Sequence, residues 1–158
     1  MKFTAHSGIY TLKVEQEIEV GIEKAWAFFS DPNNLSKITP PSMGFNITSE
    51  PTNKVYPGQI ITYIVNPFPM VPTNWVTEIT QVKEHVSFID EQRVGPYSMW
   101  HHEHFFEPIS DTKTLIIDKI SYQVPLGILG RLVEPLIVRP QLKKIFNYRK
   151  EVIGKVLN

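Results

Sequence analysis

The sequence predicts an α+β fold in which a curved, seven-stranded antiparallel sheet wraps around one long C-terminal helix. Three observations carry this expectation. Apolar and polar residues alternate at period two through most of the chain. Short turn signals separate these runs. The pattern changes to a helical period only after Pro125. Strands with one wet face must bury the other, and the final helix is the one large apolar element available to cover it.

The elements follow in order. From Ile9 to Val20, Leu12, Val14, Ile18 and Val20 fall on one side, and Lys13, Glu15, Glu17 and Glu19 on the other. That is a strand with one solvated face. In "GIEKAWAFFSDP", Ile22, Ala25, Trp26 and Phe29 recur at helical spacing, and Asp31-Pro32 stops the helix. "NNLSKI" predicts a second short helix and "TPPS" a break. Six further strands are expected at 45–49, 59–65, 74–82, 86–93, 98–107 and 114–124. The intervening "YPG", "NPFPMVP", "KEH", "VGPY" and "SDTK" are short enough to make most neighbours antiparallel hairpins. "PLGILG" (125–130) reads as a turn and portal element. Pro135 and Pro140 then predict a short helical segment and a kink or restart near Pro140. A helix follows over about 141–156, with Leu142, Ile145, Phe146, Ile153 and Val156 as its buried stripe.

Composition excludes several function classes. The 158 residues suit a single domain spanning 1–158. Lys+Arg and Asp+Glu balance at 16 each, which gives no net attraction to nucleic acid or to an anionic membrane. With no cysteine, disulfides and Cys-ligated zinc are excluded. No apolar run approaches the roughly 20 residues of a membrane helix, and the first residues lack an apolar signal core. The expectation is a cytoplasmic chain without stable membrane insertion, a monomer or weak dimer.

The order of elements, together with "GPYSMWHHEHFFEP", "IIDKISYQVPLGILG" and "LKKIFNYRKEV", resembles the SRPBCC superfamily from about residue 10 to 155. This is the helix-grip fold of START lipid-transfer domains, birch-pollen-allergen-like proteins and polyketide cyclases. Within it the chain is most similar to small bacterial proteins of the cyclase/dehydrase-like, coenzyme Q-binding-like and cell-division-inhibitor-like kinds. The resemblance implies a deep apolar cavity between sheet and helix. It does not imply one activity, because some members only bind lipids, sterols, hormones or polyketides and others catalyse.

"WHHEHFFEP" (100–108) is the stretch richest in chemistry. On a strand, Trp100, His102, His104 and Phe106 share one face, and His101, Glu103, Phe105 and Glu107 the other. The first face, aromatic at both ends, is the inner one. Closing the next hairpin at "SDTK" sets His104 opposite Asp118, His102 opposite Ile120 and Trp100 opposite Tyr122. Turning at "GPY" sets Asp90 opposite His102 and Gln92 opposite Trp100. A slip of one residue would undo this ladder.

The ladder Asp90, His102, His104, Asp118 has three readings. It can be a satisfied polar core. It can be the polar accent of a ligand pocket. It can be an acid–base pair or, with a carboxylate as third ligand, a zinc site. No further motif supports a metal or any other cofactor. The expected cavity wall comprises Trp75, Phe88, Gln92, Trp100, His102, His104, Phe106, Tyr122 and Phe146. "NPFPMVP" is read as a lip over its mouth. Arg149 is read as solvated or in a surface ion pair, although it could reach a ligand carboxylate. Two functions remain: a binder of an apolar or amphipathic small molecule (a lipid, quinone or polyketide), or a cyclase- or dehydratase-type enzyme using His102/His104 with Asp90/Asp118. The richness in aromatics over convergent titratable groups favours the binder.

Overall fold

The computed structural model describes residues 1–68 and 71–157, with Phe68 described by its backbone alone. The described residues form an eight-stranded sheet, in the spatial order β1-β2-β8-β7-β6-β5-β4-β3, with every neighbouring pair antiparallel. Its strands are β1 (Lys2–His6), β2 (Ile9–Ile18), β3 (Asn46–Ile47), β4 (Gln59–Phe68), β5 (Val71–Lys83), β6 (Ser87–Val94), β7 (Met99–Ser110) and β8 (Lys113–Gln123). Helix α1 (Ile22–Phe29) follows β2. After β8 comes one helical run: α2 (Ile128–Val133), a π-helical turn (Glu134–Val138) and α3 (Arg139–Val156).

The eighth strand is β1. Ser7 (φ 53°) and Gly8 (φ 83°) both take left-handed backbone, which makes a two-residue hairpin that folds Lys2–His6 back on β2. Such primed turns match the twist of the strands they join. The strand expected at 45–49 shortens to Asn46–Ile47, paired with Ile64 and Tyr63 of β4. The expected second helix is a single 3₁₀ turn, Pro32–Asn34, capped by the Asp31 carboxylate, which accepts from the Asn33 N–H at 2.9 Å. The "TPPS" break holds another such turn, Pro41–Met43.

The helical run has the expected short first segment and restarts at Arg139, beside Pro140; the irregular turn between them holds Pro135. A proline ring inside a helix has no N–H and clashes with the carbonyl four residues back, and here the helix widens into a π turn, with the Arg139 N–H donating to the Glu134 carbonyl. Pro140 is the second residue of α3. The stripe that α3 buries is Leu142, Phe146, Arg149 and Ile153. Ile145 is half-buried, Val156 is exposed, and Leu157 is buried in its place. Arg149 is therefore a core residue and not the solvated one its charge suggests.

The sheet's inner face and the helices hold three apolar clusters. Ile18, Trp26, Phe88, Phe106 and Ile116 pack under α1. Leu12, Ile120, Tyr122, Leu142 and Phe146 pack under the start of α3. Met43, Val65 and Trp75 form the third. Register shifts in β5 between Val76 and Thr77, and between Ile79 and Gln81, add the local bend a sheet needs to curve around a helix.

Candidate functional site

Strands β6, β7 and β8 carry the site in the expected register. Asp90 faces His102, His104 faces Asp118, His102 faces Ile120 and Trp100 faces Tyr122. The β6–β7 ladder ends at Glu91↔His101, so Gln92 has no partner opposite. His102, His104 and Phe106 are buried, while His101 lies on the outer face against Glu91 at 2.9 Å.

The side chains do not bond straight across the ladder. His104 Nε2 lies 2.8 Å from Asp90 Oδ2, and His102 Nε2 lies 3.0 Å from Asp118 Oδ1, each reaching a diagonal neighbour. The second nitrogens close the figure. His102 Nδ1 is 3.4 Å from Asp90 Oδ2, and His104 Nδ1 is 2.9 Å from Asp118 Oδ1. The latter approach is too oblique for a hydrogen bond, despite its short distance. The two imidazoles overlap with centroids 3.7 Å apart. Two carboxylates and two imidazoles thus form a closed, buried ring.

Arg149 completes it from α3. Its Nη1 is 3.7 Å from Asp118 Oδ1, its guanidinium lies over the Phe146 ring at 4.8 Å, and its buried Nε has no partner. The sequence did hold a signal for this residue. Arg149 sits at the same four- and three-residue spacing as Leu142, Phe146 and Ile153.

Electrostatics drive the two histidines apart. Burial, then the neighbouring His104, lowers the pKa of His102 against the pull of Asp90 and Asp118. Burial also opposes charge on His104, but its contacts with Asp118 and Asp90 prevail and raise it. Burial works to raise both aspartates. The facing histidines outweigh it, lowering Asp90 and taking Asp118 well below the usual carboxylate range. The charged form is therefore favoured on His104 and the neutral form on His102, beside two carboxylates and the Arg149 guanidinium.

These groups lie at the edge of an apolar cavity of about 180 Å³ between sheet and α3. Of the expected wall, Trp75, Phe88, Trp100, His102, His104 and Phe146 line it, along with Asp90. Tyr63, Thr77, Leu142, Ile145 and Arg149 also line it and had not been expected there. Three expected wall residues face elsewhere. Gln92 closes the β6–β7 turn, its amide donating to the Tyr97 carbonyl at 2.7 Å and accepting from the Tyr97 N–H at 3.2 Å. Phe106 packs on Trp26 and Phe29 beneath α1. Tyr122 donates its hydroxyl to the fully buried Glu134 at 2.7 Å, and Arg139 clamps the same carboxylate at 2.9 and 3.1 Å. Asp118 belongs to the ring behind the wall. Of the expected lip at 66–72, Pro67 lines the cavity, while Pro69 and Met70 lie outside the described residues.

A cation would use Asp90, His102 and His104, whose ligand atoms lie within 4.8 Å of one another. In the arrangement seen, His104 Nε2 and Asp90 Oδ2 are already paired with each other at 2.8 Å.

No family model matches the chain, and no curated protein matches it. Solved structures do. A START superfamily protein from Mycobacterium smegmatis superposes with a TM-score of 0.65 at 15% identity, over 89% of this chain and 97% of that one. The Zhui aromatase/cyclase from Streptomyces sp. R1128 superposes with a TM-score of 0.69 at 12% identity, over 93% of both chains. The chain shares the fold of these START and aromatase/cyclase structures. Norcoclaurine synthase from Thalictrum flavum, solved with dopamine and hydroxybenzaldehyde, shares this fold too, with a TM-score of 0.65 at 15% identity over 95% of this chain and 89% of that one. At such identities it is the fold that is shared, and site chemistry has to be argued from this chain's own residues.

Proposed function

We propose that this chain binds an apolar or amphipathic small molecule, of the lipid, quinone or polyketide kind, in the cavity between the sheet and α3. One observation carries the reading: the wall is mostly aromatic and aliphatic, while its buried histidines are gathered together and hydrogen-bonded to Asp90 and Asp118. A ligand body would be held by burial, at roughly 25 cal/mol per Å². Cavities of about 150 Å³ lined by Leu, Ile and Phe already take up benzene-sized molecules. Because Asp90 and Asp118 already occupy the two histidines, and Asp118 lies beside Arg149, the group the ring orients is a neutral oxygen, a hydroxyl or carbonyl, rather than a carboxylate. Fold neighbours support this: one is a START protein and another was solved with two aromatic small molecules. Native mass spectrometry of gently purified protein tests the reading. A co-purified neutral apolar molecule is the expected result, and a cavity that takes up none from a mixed lipid and quinone extract would overturn it.

A second reading, a cyclase- or dehydratase-type enzyme, has one observation in its favour. Two adjacent histidines with pKa values pushed in opposite directions are the arrangement that separates a base from an acid. It requires a histidine nitrogen free to meet the ligand, and three of the four are within 3.0 Å of a carboxylate oxygen. Under that reading, His102→Gln and His104→Gln abolish turnover and leave ligand affinity unchanged. Under the binding reading there is no turnover to lose.

A further inference from the structure

The helical run after β8 presents an apolar face that the fold does not use. Leu126, Ile128, Leu129, Leu132 and Leu136 are 75%, 77%, 64%, 62% and 76% exposed. Leu129, Leu132 and Leu136 follow each other at three- and four-residue spacing, so they form a ridge along one side. Contiguous exposed apolar surface of this kind marks a contact with something else.

The charge around the ridge says what. Residues 124–150 contain Arg131, Arg139, Lys143, Lys144, Arg149 and Lys150 and a single acid, Glu134. Glu134 is fully buried and clamped by Tyr122 and Arg139. Arg149 is buried and Arg139 is held by Glu134, so the stretch exposes Arg131, Lys143, Lys144 and Lys150 and no carboxylate, in a chain whose charges balance overall. The zero net charge hides a segregated distribution. An apolar ridge beside bare cations suits a surface that is apolar beneath and anionic on top. It does not suit a second copy of the chain, since a self-complementary contact would set Arg131, Lys143 and Lys144 of each copy together with no acid to meet them.

We propose that this face docks on an anionic lipid bilayer. Leu129, Leu132 and Leu136 enter the acyl boundary, and Arg131, Lys143 and Lys144 meet headgroup phosphates. The same helical run reaches the cavity through Gln141, Leu142 and Ile145. Docking therefore brings the cavity wall to the lipid surface. The proposal stands whatever the cavity holds.

The test is co-sedimentation of the full chain with vesicles of phosphatidylcholine alone, or of phosphatidylcholine mixed with phosphatidylglycerol. The expected result is partition onto the phosphatidylglycerol vesicles that falls with added salt. Lys143→Glu/Lys144→Glu should weaken it by about tenfold or more, at ~1 kcal/mol for each cation near the surface. Leu132→Ser/Leu136→Ser should weaken it comparably, with an unchanged circular dichroism spectrum. The charge-reversal variant stands as the independent arm should the serine variant fold poorly. Equal binding to both vesicle types, binding to neither, or a concentration-dependent dimer that the serine pair abolishes would each overturn the proposal.

Discussion

His102 and His104 are the same side chain two residues apart, and their surroundings drive them in opposite directions. The consequence is a stability profile with a sign for each. His104 has its pKa raised in the fold, so its stabilisation is complete below the ordinary histidine value of about 6.5 and is lost as pH climbs through the raised value. His102 is lowered, so keeping it neutral weakens the fold as pH drops below about 6.5. The lowered Asp118 adds stabilisation present above about 3.9 and lost as pH falls through its depressed value. Melting temperatures across pH check this. His104→Gln should flatten the decline above about 6.5, and His102→Gln the decline below it. A His104→Gln protein that keeps the full decline above about 6.5 would refute the assignment. A chelator should leave the melting temperature unchanged, since Asp90 and Asp118 each already hold a histidine by a hydrogen bond. A drop reversed by zinc would turn Asp90, His102 and His104 into ligands. The sequence made this face legible because strand period sorts side chains in and out. The diagonal bonds were not legible, because register fixes where Cβ atoms lie and not which way an imidazole turns. Arg149 was misread because its charge was weighed above its spacing.

At the scale of elements, period carried more information than boundaries. The 142, 146, 149, 153 spacing places α3 on the sheet, and the alternation of β7 and β8 gives their pairing. What escaped was local turn chemistry. Ser7-Gly8 is a hairpin signal, but the strand before it, "KFTAH", has too little apolar contrast to announce itself. The helix restart near Pro140 was legible from its two prolines, but the π geometry of the turn at Glu134–Val138 was not. Two expectations belong here. Phe146 is buried, and its truncation to Ala should cost on the order of 3–5 kcal/mol in urea unfolding. A cost below about 1 kcal/mol would mean that the α3 stripe contributes little to the core. Gly130 has no room for a side chain: a Cβ there would sit 2.1 Å from the Pro125 carbonyl oxygen. Gly130→Ala should therefore lower the melting temperature by shifting α2 off its turn, whereas a substitution at the open Leu132 should not.

For the whole molecule, the order strand, helix, strands, long helix was enough to reach the fold, because one apolar sheet face leaves one way to be covered. The cavity's occupant is another matter, since an apolar wall recognises shape and area and writes little of its ligand into residue types. The architecture nevertheless makes the wall testable. Trp75, Phe88 and Trp100 come from the sheet, and Leu142 and Phe146 from α3, so an occupant touches both layers and stabilises their union. Anything that binds the folded state alone raises stability by mass action, by about 2.7 kcal/mol when free ligand is at 100 times its dissociation constant. An apolar fluorescent probe should therefore bind the protein and raise its melting temperature in proportion to occupancy. Trp100→Ala removes wall area and should weaken both effects. His101→Ala removes a side chain held on the outer face by Glu91 at 2.9 Å and should change neither. His102→Ala should alter which probes bind more than whether the protein folds, because it takes away a polar accent and leaves the aromatic wall. If His101→Ala abolished binding while Trp100→Ala and His102→Ala left it intact, the ligand would lie on the opposite side of the sheet, and the cavity under α3 would be a packing defect without a tenant.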